Sequence, residues 1–438
     1  MKLENPNRYK PFAQRRKRLA RSLGDGVVIL PTAPERTRNA DSHYDYRWDS
    51  GFYYLTGFRE PEAVLVIVPG RKSREILFCR EKNLEREIWD GFRYGPQLAR
   101  EVFGFDEARP IAELDAAIPE LIANHEVLHT PVGADDGWDA RVAGWLNAVR
   151  AKVRSGITAP GQIRDVRAEV NDMRLVKDAT ELAIMRRAGE ISSGAHVRAM
   201  RAARPGKREY EVEAEIIHEF CRHGARAPAY GSIVAAGANA CVLHYRENDA
   251  RIQPGDLMLI DAGCELDSYA SDITRTFPVD GKFTAPQRDV YELVLASQEA
   301  AIKAVKPGAE FIAYHDAATR VLVRGLIDLK LCKGSVDQVL ENGSYKQFYM
   351  HRTGHWLGLD VHDAGDYMRK GKWRKLEPGM VLTVEPGLYI RPAPGVPKAF
   401  WNIGVRIEDD VAVTARGCEI LTPDCPKTVQ DVEAAVRG

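Results

Sequence analysis

The 438-residue sequence predicts an α+β fold in two domains, a smaller α/β N-terminal domain over 1–170 and a larger α+β domain over 171–438. Three observations carry that prediction. Short apolar runs alternate with helical ones in the first part, longer helices take over from Asp178, and strands return after Leu376. Those last strands carry acidic residues at positions that should otherwise be buried.

In the N-terminal domain GVVILPT (26–32), AVLVIVPG (63–70), EILFCR (75–80) and EVLHTPV (126–132) read as strands of one small sheet. Asp135–Val153 reads as a helix with Trp138, Val142, Trp145, Leu146 and Val149 on one face. Ser155–Arg164, with Gly156, Pro160 and Gly161, reads as linker. Beyond it, Asp178 and Glu181 have the spacing of a capping box. Glu209–Arg222 carries Val212, Ile216 and Phe220 at four-residue intervals, and Thr284 with Pro286 opens a third helix facing the core through Val290, Leu293 and Val294. Glu310–Leu329 is a fourth helical stretch; MVLTVEPGLYI and GVRIEDDVAVT are the closing strands.

Composition excludes several classes. Sixty-two basic residues balance sixty-two acidic ones, so nothing in the total charge favours nucleic acid or an anionic membrane. Arg15, Arg16, Lys17, Arg18 and Arg21 form the strongest basic cluster and read as a solvated helix face. The first 25 residues lack an apolar core of a secretory signal, and no apolar run is long enough to span a membrane. Seven cysteines without a CxxC pair argue against a disulfide framework or a thiolate zinc site. A cytoplasmic protein with reduced thiols is expected.

The stretch LMLIDAGCELDSYASDITRTF holds the most informative residues, Asp261 and Asp272. It reads as a β-hairpin. With Leu266–Asp267 as its two-residue loop, Asp261 faces Asp272 directly, with Cβ atoms ~4.5–5.5 Å apart. Two facing carboxylates repel by roughly 3 kcal/mol at an effective dielectric of 20 and need protons or cations between them. Glu385 closes the run Val381–Glu385, and Glu408 sits inside Val405–Val413; acids on apolar strands are rare unless paired or metal-bound.

MHRTGHWLGLDVHD offers His351, His355 and His362 as nitrogen donors. A zincin helix is excluded, because Arg352 stands where H-E-x-x-H needs glutamate and Gly354 weakens a helix. Four carboxylates and a neutral His355 match the charge of two divalent cations. Oxygen-rich ligation with one imidazole suits Mn²⁺ or Co²⁺, with Zn²⁺ also able to bind. Two metals ~3.5–4 Å apart lower the pKa of a shared water, so hydrolysis is the expected chemistry.

On these residues the chain resembles the pita-bread metallopeptidases, the family of methionine aminopeptidase, prolidase, aminopeptidase P and creatinase. The likeness extends through ADSHYDYRWDSGFYYLTGF, NDMRLVKDATELAIMRRAGEI, HEFCRHGARAPAY, SDITRTFPVDGKFT, HWLGLDVHD and LEPGMVLTVEPGLYI, and is greatest toward the bacterial aminopeptidase P branch. It implies that Asp261, Asp272, His355, Glu385 and Glu408 are the metal ligands, with Asp272 and Glu408 bridging both ions. It implies that His244, His351 and His362 bind substrate and steady the tetrahedral intermediate, and that Arg406 orients a ligand carboxylate. Tyr389 lies in a matched segment. DYMRKGKWRK (366–375) departs from the family pattern.

The implied reaction removes the N-terminal residue of a peptide whose second residue is proline, with Glu385 moving the proton. Proline's nitrogen carries no N–H, so the enzyme needs a pocket shaped to the ring. Asp41 and Trp89 fall in segments that resemble those reaching toward the active site, and the N-terminal domain is expected to serve substrate access and the contacts of a homodimer or homotetramer. Prolidase, restricted to dipeptides, is the alternative. Methionine aminopeptidase is disfavoured by the long N-terminal domain, and a non-catalytic peptide-binding relative by the intact five-residue donor set.

Overall fold

The structure is a computed structural model that describes residues 9–70 and 72–438, which divide into two compact units, Met1–Arg174 and Leu175–Gly438. The N-terminal unit is built on a six-stranded sheet. Its order is Glu107–Pro110, Arg74–Cys79, Val64–Val68, Val27–Pro31, Val127–Thr130 and Gln162–Asp165. The predicted strands are therefore present and share one sheet. The last strand overlaps the end of the stretch read as linker: Gln162–Asp165 pairs parallel with Val127–Thr130 at the sheet edge, where exposed polar residues are tolerated and no apolar run announces a strand.

The helix Asp136–Arg150 starts where Asp135 accepts from the Trp138 N–H at 2.9 Å. It buries Trp138, Val142, Trp145, Leu146 and Val149 against Val27, Ile29, Val64 and Val66 of the sheet. The basic cluster is not a solvated face. Arg16 is fully buried in the helix Lys10–Leu23, bonds Glu75 at 2.6 Å, and donates to Leu55 O, Phe103 O and Gly104 O. Arg15 is buried too. A short run of positive charge on a helix does not reveal that one of its members turns inward to a carboxylate on a distant strand.

In the C-terminal unit the capping boxes at Asp178–Glu181 and Thr284–Gln287 open the helices Ala179–Ala202 and Ala285–Ala304. With Glu209–Arg222 and Ala313–Asp328 they cover a set of small antiparallel sheets. One sheet orders Ile233–Ala236, Leu257–Asp261 and Thr274–Pro278; another orders Val381–Val384, Asp409–Val413 and Cys418–Ile420; a third pairs Gly387–Ile390 with Ile403–Arg406. No helix among the described residues is long and apolar enough to cross a membrane.

The central hairpin differs from expectation in register. Its loop is Asp267–Ser268, so Glu265 pairs with Ala270 and Asp261 with Thr274 rather than with Asp272. Turn chemistry decides this. Both loop residues have positive φ, 47° and 76°, a conformation that Asp and Ser tolerate far better than Leu. Leu266 instead stays in the strand, packed on the core. Asp272 thus becomes the diagonal neighbour of Asp261 on the same face, still within side-chain reach.

Candidate metal centre

Each donor is placed by a local interruption of regular structure. Asp261 ends the strand Leu257–Asp261. Asp272 lies in the irregular stretch before Thr274, where its N–H bonds Asp410 at 3.1 Å. Gly263 lets the two hairpin arms close, because a Cβ there would stand 1.7 Å from Ser271 O. His355 is held by its N–H on Thr383 Oγ1 at 3.1 Å and by its carbonyl on the Thr383 N–H at 2.9 Å. Gly354 permits that approach, since a Cβ would meet Thr383 O at 2.0 Å.

Glu385 and Glu408 sit at matching breaks. Val381–Val384 pairs with Asp409–Val413 and Gly387–Ile390 with Ile403–Arg406, leaving Glu385–Pro386 and Ile407–Glu408 at the crossing from one pair to the other. Glu408 is therefore not in mid-strand, as its apolar flanks suggested. Pro386 has no N–H to continue a ladder, and the Glu408 N–H turns to Thr274 O at 3.1 Å.

These elements bring all five predicted donors together. The Tyr230 hydroxyl bonds Asp261 Oδ1 at 2.6 Å and also bonds Asp272. His355 Nε2 lies 3.5 Å from Asp272 Oδ2 and 3.6 Å from Glu385 Oε1. Asp272, His355 and Glu408 each offer a ligand atom within 4.8 Å of the others. His355 Nδ1 faces Trp356 O at 2.9 Å and so carries the proton when the ring is neutral, which leaves the Nε2 lone pair for the carboxylate cluster. The donor set fits divalent cations in chemistry and in placement.

Electrostatics without cations shows the imbalance. Burial, then the charges of Asp272, Glu385 and Asp261, push Glu408 well above the carboxylate range. Burial also raises Asp272 and lifts Glu385 to about 7, against the opposing pull of His355 and Arg406. Burial alone would lower His355, but its bond to Asp272 and the charge of Glu385 carry it up to about 9. Buried carboxylates at this spacing keep protons until cations replace them.

Arg406 anchors the set. It is buried and donates to Asp261 Oδ2 at 2.7 Å, Tyr389 Oη at 2.9 Å and Thr274 Oγ1 at 3.0 Å; Thr274 in turn donates to Glu408 at 2.7 Å. His351 continues the chain. Its Nδ1 stands 2.7 Å from Arg352 O, an acceptor only, and so must carry the proton; its Nε2 accepts from Tyr389 Oη at 2.9 Å. Burial and the Arg406 charge hold His351 neutral, with its pKa down at about 3.

His244 lines the same cavity of about 460 Å³, and His362 lies edge-on to His355 with ring centres 4.3 Å apart. Phe311, Ile312, Tyr314 and Tyr367 make the cavity's apolar side. Tyr230, Thr274, Thr383 and Asp410 were not singled out from sequence. No spacing rule marks a tyrosine in APAYGS or sets apart Asp410, which is buried. Of the N-terminal residues, Asp41 is exposed and Trp89 is 83% exposed.

Comparisons with known proteins identify the family. A family model described as metallopeptidase family M24 matches residues 183–415, and one described as the aminopeptidase P N-terminal domain matches residues 12–129. The Xaa-Pro aminopeptidase of Escherichia coli (strain K12) is 46% identical over 426 residues, covering 97% of this chain and 96% of that protein. That of Haemophilus influenzae is 44% identical over 425 residues, 96% of each. Among solved structures, a Pseudomonas aeruginosa aminopeptidase superposes with a TM-score of 0.96 at 50% identity, covering 100% of this chain and 99% of that one. A zinc-substituted E. coli aminopeptidase P in complex with product gives 0.95 at 45% identity and 98% coverage of both.

Proposed function

The chain belongs to metallopeptidase family M24 and carries the aminopeptidase P N-terminal domain, and from that premise we propose a dinuclear Xaa-Pro aminopeptidase whose ligands are Asp261, Asp272, His355, Glu385 and Glu408. It is a metal-dependent hydrolase, and its C-terminal unit has the pita-bread fold. The observation that carries the reading is the convergence of four carboxylates, Asp272 and Glu408 buried and Asp261 and Glu385 half-buried, and one imidazole beside an aromatic-walled cavity. All-oxygen ligation apart from His355 favours Mn²⁺, with Co²⁺ or Zn²⁺ as substitutes. Asp272 and Glu408, innermost of the five, would be the carboxylates shared between the two ions.

Bound in pairs, such ions lower the pKa of a hydrolytic water and polarise the scissile carbonyl. The protein's own groups do the rest. Glu385, which lines the cavity beside His355, is placed to take a proton from that water and pass it to the departing proline nitrogen. His351 has both ring nitrogens engaged, so it orients Tyr389 and Arg406 rather than donating to an oxyanion. That donor falls to His244 or His362, whose loss is worth ~10²–10³ in turnover. Phe311, Ile312, Tyr314 and Tyr367 offer an apolar surface for a pyrrolidine ring whose tertiary amide has no N–H to recognise.

The N-terminal unit is proposed to mediate self-association into a dimer or tetramer. Its helix Leu84–Asp90 buries none of its residues and exposes Leu84, Ile88 and Trp89 at 73%, 80% and 83%, an apolar patch of the kind that marks a docking surface. Mass measurement by light scattering on Ile88→Glu checks this, an unchanged oligomer overturning it. The catalytic proposal is tested by incubating the Mn²⁺-loaded protein with an Xaa-Pro dipeptide and an Xaa-Pro-Yaa tripeptide and weighing the products. Both are expected to lose their first residue. Cleavage of the dipeptide alone makes the protein a prolidase, and full turnover by Asp272→Ala sinks the ligand assignment.

A further inference from the structure

The segment 366–375, which departs from the family pattern, borders the catalytic cavity. Met368–Arg369 and Lys372–Trp373 form a two-stranded hairpin turned at Lys370 and Gly371, both with positive φ. Tyr367 and Trp373, at its two ends, line the cavity. Five of its ten residues are basic (Arg369, Lys370, Lys372, Arg374, Lys375) and only Asp366 is acidic. Lys370 and Lys372 are exposed, and Asp366 approaches Arg369 at 4.0 Å.

Arg352 adds a sixth positive charge beside this hairpin. It lines the cavity, and its guanidinium lies 5.6 Å from the Trp373 ring centre. Stacking against an aromatic face leaves the N–H edge of a guanidinium free to bind a carboxylate bidentately. Among the described residues Arg352 has no ion pair. Its charge reaches into the cavity nonetheless: burial and then Arg352 hold His315 neutral, pKa about 4, and Arg352 with Arg320 tempers the raised carboxyl of Asp316. The cavity therefore joins an acidic, metal-binding side, with Asp261 and Glu385, to a cationic one at Arg352, with Lys370 and Lys372 on the hairpin that carries Trp373.

A short peptide has matching polarity. Its ammonium is repelled by Arg352 and the lysines, so the chain that follows the proline is the part that runs toward them. From this arrangement we propose that Arg352, seated on Trp373 and reinforced by Lys370 and Lys372, selects substrates that carry a carboxylate just after the proline. The carboxylate comes from an acidic third residue or from the free C-terminus of a tripeptide. The proposal rests on the Xaa-Pro aminopeptidase reading and sets which Xaa-Pro peptides are preferred.

The test compares kcat/KM of the Mn²⁺-loaded protein on Ala-Pro-Glu-amide, Ala-Pro-Gln-amide, Ala-Pro-Lys-amide and the free acid Ala-Pro-Gln. Wild type is expected to prefer the Glu-amide over the Gln-amide by roughly tenfold, the size of one charge-assisted hydrogen bond at a partly exposed site. The Lys-amide should be slowest, and the free acid should exceed its amide. A gain confined to the free acid supports a C-terminal carboxylate as the source; a gain confined to Glu supports the side chain. Arg352→Gln should bring these ratios to within about twofold of one, and Arg352→Lys should restore part of them. Ratios cancel any common loss of turnover. Lys370→Gln with Lys372→Gln should lower the ratios less and weaken their dependence on salt. Equal rates on all four peptides in wild type, or ratios untouched by Arg352→Gln, overturn the proposal. If none of the four is cleaved, the failure belongs to the Xaa-Pro aminopeptidase reading instead.

Discussion

Glu385 and His355 tie metal binding to pH at the scale of single residues. Without metal, burial lifts Glu385 from 4.5 to about 7, and Asp272 with Glu385 lifts His355 from 6.5 to about 9. Both pKa values are raised in the folded protein. The stability these groups contribute is therefore complete at low pH and lost as pH rises, through about 7 for Glu385 and through about 9 for His355. Cations reverse the trend, because they bind the deprotonated forms. Mn²⁺ should raise the melting temperature more at pH 8 than at pH 5.5, and calorimetry in buffers of different ionisation enthalpy should show protons released on binding. A melting gain that does not change with pH would mean that these two groups do not hold the metal. The four candidate carboxylates stood out in sequence because an acid on an apolar strand is costly without a partner. Tyr230 was not, because a phenol in a turn breaks no rule until the fold carries it to Asp261 and Asp272.

At the scale of elements, the hairpin that carries Asp261 and Asp272 depends on one close backbone approach. Gly263 lies where any Cβ would overlap Ser271 O at 1.7 Å, and the obstructing atom is backbone, which cannot rotate away. Gly263→Ala must push the two arms apart, at a cost of ~3 kcal/mol or more. The separation also breaks the Tyr230 bridge between the two aspartates. The expected result is a lower denaturant midpoint together with weakened Mn²⁺ affinity; native affinity in the variant would show that the arms' approach is not what sets the site. The apolar run and the alternating strand made this hairpin legible, but not its register. Register follows from which two residues accept positive φ, and reading Leu266–Asp267 as the loop placed a leucine where Asp267 belongs. The breaks at Glu385 and Glu408 were hidden for a related reason. Continuous apolar sequence can serve two short strands in different sheets, and only pairing shows where one ends.

At the scale of the whole molecule, the chain divides its stabilising devices between two units that answer to different perturbations. The catalytic unit is tuned by cations. The N-terminal unit holds a buried ion pair, Arg16–Glu75 at 2.6 Å, in which both side chains are almost fully enclosed. Arg16 joins two segments through carbonyl bonds, at Leu55 and at Phe103–Gly104, and so links two helix ends to the sheet strand that carries Glu75. Composition could not foretell this, since a lone arginine among four other basic residues reads as solvent-facing. Removing one member of such a pair leaves the other charge buried without compensation, at ~3–5 kcal/mol. Arg16→Met should therefore loosen the N-terminal unit while sparing the chemistry of metal capture. Hydrogen exchange followed by mass spectrometry separates the two effects. Peptides from 9–174 should exchange faster in the variant, most of all around Leu55, Glu75 and Phe103, whereas protection gained on adding Mn²⁺ should persist in peptides holding Asp261, Asp272 and Glu408. Faster exchange spread evenly over both units would show that Arg16 supports the molecule as a single cooperative body.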